Sequence, residues 1–261
     1  MVIEIQPGLL YLTRADWGAR TDIPRLGYQV NRLARTEAIM HHTVITPNIY
    51  QTLAEVKAKM VQLQTIRPDL GLDVPYNFVA FHMADGALIV CEGRGLDRTG
   101  AHTHAHNTGG MATAGQGNFN LGQSLAPYVG HWSRWWGWLK FDEGMTNLGT
   151  VHPPGGIAYG HRDLSSTACP GANLYAIIPQ MEFKEEDDMD EAAVRQLFQE
   201  LMAEHVTDPT THYSLDQIRD NLPDLNQHLR GIVAGIADSR IAASGAVPAG
   251  HGHPHQHGEA G

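Results

Sequence analysis

Cysteine is nearly absent from this chain: Cys91 and Cys169 are the only two in 261 residues. Two cysteines make a poor disulfide framework for a chain of this size, so a ligand or buried-thiol role is read first. Long apolar runs are missing as well. No stretch approaches the roughly 18 residues that a membrane-spanning helix needs, so no membrane insertion is expected. The N-terminus, Met1-Val2-Ile3-Glu4-Ile5, lacks a basic stretch followed by an apolar one, so no signal peptide is expected. Lys and Arg are nowhere concentrated, which leaves no footprint for nucleic acid. There is no internal repeat.

What is present is an ordinary globular composition, with length for one or two domains. Charge is unevenly spread. Residues 1–181 hold 13 Lys/Arg against 13 Asp/Glu, and residues 182–261 hold 5 against 15, which is the whole net charge of -10. The run EFKEEDDMDE at 182–191 marks a boundary, since such runs are solvated linkers or acidic helix starts. Three regions are therefore expected: a folded domain over 1–181, an acidic linker and helices over 182–244, and a disordered His-rich tail over 245–261. In the second region, Val194, Leu197, Phe198, Leu201 and Met202 recur at helical spacing, as do Leu225, Leu229, Ile232, Val233 and Ile236. These small all-α elements must bury an apolar face, and self-association through them is one way. In the tail, His251, His253, His255 and His257 could take metal.

The first region mixes strand and helix patterns. Residues 38–44 read as a short buried strand. Thr46-Pro47 predicts a helix start, because Pro at the first helical position lacks an N–H the helix does not need. Ile49, Leu53, Val56, Met60 and Leu63 then repeat at helical spacing, and Arg67-Pro68 marks the end. Residues 76–91 read as a hairpin around Asp85-Gly86, with Phe78, Ala80 and His82 on one face and Val79, Phe81 and Met83 on the other. Residues 111–114 are a further strand. Trp132, Trp135, Trp136 and Leu139 predict a helix packed on the sheet. The fold class is α/β: a mixed central sheet flanked by helices.

Three residues invite chemistry. His41 sits near the end of a predicted strand. His161 and Cys169 lie in Gly160-His161-Arg162-Asp163-Leu164-Ser165-Ser166-Thr167-Ala168-Cys169-Pro170-Gly171, a loop that turns back on itself. Two imidazoles and a thiolate can fill three corners of a tetrahedral zinc site and leave the fourth for water. Among 16 histidines, spacing alone does not separate this trio from buried or surface histidines and an inert thiol.

The order of short blocks adds a second kind of information. Arg14-Ala15-Asp16-Trp17-Gly18-Ala19, Met40-His41-His42-Thr43, Val74-Pro75-Tyr76-Asn77-Phe78, Glu92-Gly93-Arg94 and Gly100-Ala101-His102 with Asn107 precede the Gly160–Gly171 block. In this order they resemble the type 2 N-acetylmuramoyl-L-alanine amidase family, which includes peptidoglycan recognition proteins and phage amidase lysins. The resemblance covers residues 10–180. It implies one catalytic Zn2+ on His41, His161 and Cys169, with Tyr76 facing the water that attacks and Thr167 beside the developing oxyanion. It places His42, His102 and Asn107 at or beside the substrate. It also shows a departure: where one branch carries a glutamate base on a central strand, Ala114 stands here. The implied activity is cleavage of the amide between N-acetylmuramic acid and L-alanine in bacterial peptidoglycan. With no signal peptide, the expected setting is a phage endolysin held in the host cytoplasm until release to the cell wall. A cytosolic muropeptide-recycling amidase, a virion component and a non-catalytic peptidoglycan-binding protein are the alternatives.

Overall fold

The computed structural model describes residues 2–122 and 124–185. The helices and self-association surface expected after residue 185, and the His-rich tail, lie outside the described residues.

One mixed sheet organises the described residues. Its strands are β1 (Ile3–Gln6), β2 (Leu9–Leu12), β3 (Glu37–His42), β4 (Ile49–Tyr50), β5 (Phe78–Met83), β6 (Leu88–Glu92), β7 (Gly110–Gly115) and β8 (Ala158–Gly160). They lie in the order β1-β2-β6-β5-β7-β3-β8, with β4 beside the end of β5. The β1–β2 and β5–β6 pairs are antiparallel and the other pairs are parallel. Among the described residues five α-helices accompany the sheet: α1 (Arg14–Trp17), α2 (Leu53–Leu63), α3 (Val129–Gly137), α4 (His161–Leu164) and α5 (Ala172–Tyr175). Among the described residues no helix is long and apolar enough to cross a membrane.

Strand alternation sorts the core into two layers. Phe78 and Ala80 of β5 face a cluster with Trp132, Trp135, Trp136 and Leu139 of α3 and its π-helical continuation, Trp138–Asp142. Val79, Phe81 and Met83 face the opposite cluster, with Val56, Met60 and Leu63 of α2 and with Trp17. Both faces of the central strands are thus covered, which is why β3, β5 and β7 are buried almost without a break. Cys91 belongs to the second cluster as a buried free thiol. Trp17 is buried there too, its indole N–H donating to the Glu92 carbonyl at 2.9 Å.

The helix expected to open at Pro47 starts later. Thr52 caps α2: its hydroxyl accepts from the Glu55 N–H at 3.3 Å, and the Glu55 carboxylate accepts from the Thr52 N–H at 3.1 Å. This reciprocal box lies next to the periodic run and outcompetes the isolated Thr-Pro signal. Ile49 and Tyr50 are released to pair with His82 and Met83. The strand expected over 38–44 ends at His42, because Val44 turns away with φ 64° and its N–H goes to the Gly117 carbonyl.

Candidate metal centre

β3 ends in His41 and His42, and β8 runs parallel beside it straight into α4, whose first residue is His161. The Gly160 N–H donates to the Asp163 carboxylate at 2.7 Å, fixing the strand-to-helix corner. The chain then folds back on α4. The Arg162 N–H reaches the Cys169 carbonyl at 2.8 Å, and the Cys169 N–H reaches the Thr167 hydroxyl at 3.2 Å. Gly171 completes the return at φ 89°, where an added Cβ would lie 2.5 Å from the Phe119 carbonyl carbon.

This folding brings His41, His161 and Cys169 together, each offering a ligand atom within 4.8 Å of the others. His41 Nδ1 lies 3.6 Å from Cys169 Sγ, and the His41 and His161 rings are 4.5 Å apart. His41 and Cys169 are buried and His161 is half-buried. Burial, reinforced by neighbouring histidines, pulls the His41 pKa well below its ordinary value; burial also lowers His161. Burial pushes the Cys169 thiol up to about 11, against the pull of the His42 N–H, which donates to Sγ at 3.3 Å. Two imidazole nitrogens with free lone pairs and one thiol sulfur make a donor set that suits zinc, and three protein ligands leave a corner open. The donor set therefore fits the metal that the sequence implies.

The trio opens on a cavity of about 330 Å³. Tyr76, His42, His102 and Thr167 line it with the trio. Tyr76 lies just before β5, its ring 5.3 Å from His41 and its hydroxyl 3.5 Å from the His42 carbonyl. Burial raises its pKa, so the phenol keeps its proton. Thr167 is exposed at the rim. His42 turns Nδ1 to the Phe119 N–H at 3.4 Å, and burial with the nearby Arg162 brings its pKa down to about 4. Burial brings His102 to about 3. Among the described residues no carboxylate lines the cavity. Ala114 is fully buried beside His41 in the β3–β7 register. A second cavity, about 370 Å³ between β4 and α2, contains neither histidine nor cysteine.

Asn107, expected at the substrate, does not line the cavity. Its side-chain oxygen accepts the N–H groups of His102 at 2.8 Å and Thr103 at 3.2 Å, so it shapes the loop that carries them. Two residues that sequence reasoning passed over hold the same region. The buried Thr103 hydroxyl lies between His41 Nε2 at 3.3 Å and His102 Nδ1 at 3.1 Å. Arg35, also buried, threads its guanidinium among backbone carbonyls: Thr108 and Gly110, each at 2.9 Å, and Arg98 at 2.5 Å. Burial draws its pKa down to about 10. The signal for Thr103 was its place directly after the Gly-Ala-His block.

No family model matches the chain. Peptidoglycan-recognition protein SC1a of Drosophila melanogaster is 31% identical over 170 residues, spanning 64% of this chain and 83% of the relative. Among solved structures, Drosophila PGRP-LB matches with a TM-score of 0.54 at 22% identity, covering 69% of this chain and 98% of its own. Human PGRP-IBETAC in complex with glycosamyl muramyl pentapeptide matches at 0.51 and 23% identity, over 66% and 95%. The mixed sheet with flanking helices is the peptidoglycan recognition protein and type 2 amidase fold. By its kinship with the Drosophila relative, the chain belongs to the peptidoglycan recognition protein family.

Proposed function

We propose that this chain is a zinc-dependent N-acetylmuramoyl-L-alanine amidase, hydrolysing the amide that joins the lactyl group of N-acetylmuramic acid to L-alanine in bacterial peptidoglycan. The observation that carries the reading is the convergence of His41, His161 and Cys169 at one cavity in this fold. The human relative's muramyl pentapeptide complex supports the substrate class. His41, His161 and Cys169 would hold a zinc ion, which would supply Lewis acidity toward a carbonyl and would lower the pKa of water to about 7.

The chain's own residues do the rest. The cavity walls position the muramoyl amide. Tyr76 keeps its phenolic proton and donates a hydrogen bond beside the cluster, where an oxyanion develops. Thr167 holds the Cys169 N–H and offers its hydroxyl at the rim. Ala114 occupies the strand position where one branch has glutamate, and among the described residues no carboxylate stands in the cavity wall.

The test is hydrolysis of purified peptidoglycan by the full chain, with chelator and with zinc restored, reading the cut by mass. The expected products are peptides with a new L-alanine amino terminus, lost on chelation and regained with zinc. Cys169→Ala and His41→Ala are expected to abolish cleavage while the domain stays folded. A folded Cys169→Ala protein that still cuts would remove the ligand assignment. Binding of muramyl peptide without cleavage by zinc-loaded wild type would favour a recognition protein instead. Release from a host cytoplasm to the wall, as in a phage lysin, rests on the sequence alone and gains no support from the animal relatives named above. Preference for intact walls over soluble fragments distinguishes it from muropeptide recycling.

A further inference from the structure

We propose that Thr103 is a positioning residue whose hydroxyl couples the tautomers of His41 and His102, so that a metal ion on His41 fixes where His102 carries its proton. The proposal rests on the zinc reading above. It follows from hydrogen-bond accounting at one buried oxygen. Thr103 is 2% exposed, and its hydroxyl lies 3.3 Å from His41 Nε2 and 3.1 Å from His102 Nδ1. A hydroxyl has one hydrogen and two lone pairs; accepting from both rings would leave its hydrogen unused between them, so the arrangement that uses all three donates to one ring and accepts from the other.

The direction is set at the other side of His41. Its Nδ1 faces the cluster, 3.6 Å from Cys169 Sγ. A metal ion takes the Nδ1 lone pair, and a neutral imidazole then carries its hydrogen on Nε2. That hydrogen points to the Thr103 oxygen. The remaining ring acceptor for the Thr103 hydrogen is His102 Nδ1, and using it leaves His102 with its own hydrogen on Nε2, a buried atom without a partner among the described residues. The reverse chain, from His102 Nδ1 through Thr103 to His41 Nε2, puts a hydrogen on His41 Nδ1 and closes that corner to metal. Partners of this kind fix ligand orientation and raise ligand basicity. The loop is built to hold the hydroxyl in place. Asn107 clamps the N–H groups of residues 102 and 103, and Arg35 grips the carbonyls of Arg98, Thr108 and Gly110.

The experiment uses full-length protein with 15N-labelled histidine and long-range 15N–1H spectra, alongside zinc affinity from chelator competition. Zinc-loaded wild type is expected to show His102 protonated at Nε2. Thr103→Val keeps the shape and removes the hydroxyl; it is expected to weaken zinc binding about 10- to 100-fold and to release His102 into a mixture of tautomers. Thr103→Ser is expected to restore both. Zinc-loaded wild type with His102 protonated at Nδ1 overturns the coupling whether or not the valine variant folds. Unchanged zinc affinity and unchanged His102 tautomer in a folded Thr103→Val protein overturn it as well, and both results leave the zinc centre standing. Failure of wild type to bind zinc more tightly than Cys169→Ala removes the zinc reading and this proposal together.

Discussion

His82 shows what a single buried side chain does to this molecule. It sits fully buried on β5, accepts the Trp132 indole N–H at 3.1 Å, and burial brings its pKa down to about 3. The folded value lies below the unfolded one of about 6.5, so between them the unfolded chain binds the extra proton. The stability contributed by the neutral ring is complete above pH 6.5 and is lost as pH falls toward 3. Between pH 6.5 and pH 5 this one group is expected to remove about 2 kcal/mol. Urea titrations at the two pH values check it: in His82→Gln the stability lost between pH 6.5 and pH 5 should be smaller by that amount, and an unchanged loss would mean that other groups carry the acid sensitivity. At the same scale, the candidate ligands were legible in the sequence because chemistry constrains their type, and two histidines and a cysteine stood in family blocks. Asn107 was legible as a residue but not as a loop clamp. Its partners are backbone N–H groups, and which backbone turns toward an amide is decided by tertiary folding. Thr103 was hidden for the same reason, since a loop threonine acquires its meaning only when β3 brings His41 beside it.

Elements were readable where side chains repeat with the period of the backbone. Trp132, Trp135, Trp136 and Leu139 gave away α3, and the β5–β6 hairpin declared itself by alternation around Asp85-Gly86. The strands β1, β2, β4 and β8 were not read. Each has two to four residues, too few for a pattern, and each exists because a partner strand supplies its hydrogen bonds. The start of α2 was misread because two start signals compete within six residues. Only Thr52 has a glutamate three residues on, and only it satisfies two orphan N–H groups at once. Thr52→Ala is therefore expected to destabilise the chain by about 1 kcal/mol. Thr46→Ala, outside the helix, should lack that effect on the helix start. Thermal melts of the two variants compare them directly. A larger loss in Thr46→Ala would mean that the first signal matters in a way the cap geometry does not reveal.

For the whole molecule, the question is where the first unit ends. The charge run placed the boundary at residue 181, but the chain keeps packing beyond it. Met181 is buried, and the Glu182 N–H donates to the Ser133 hydroxyl at 3.2 Å. The Phe183 ring packs against the α3-side core and against Gly149, with the Lys140 ammonium 4.4 Å from its centroid. The Lys184 N–H reaches the Ser133 carbonyl at 3.3 Å, and its own carbonyl accepts from Arg134 at 3.3 Å. Lys184 also runs against Gly137, where any Cβ would collide with its backbone. Residues 182–184 are thus strapped to α3, whose tryptophans fill one face of the sheet. None of them lines the cavity at the His41, His161 and Cys169 cluster. A chain cut after residue 181 should therefore be less stable than one cut after residue 185, with the site present in both. Burying an aromatic ring contributes roughly 1.5–3 kcal/mol when complete, and Phe183 is only partly buried, so the shorter chain is expected to be weaker by about 1 kcal/mol. Denaturation of the two truncated chains measures this, with zinc stoichiometry as the second reading. Equal stability would make the strap a passive surface strand. Loss of zinc from the shorter chain alone would mean that α3 and its strap support the ligands from across the sheet.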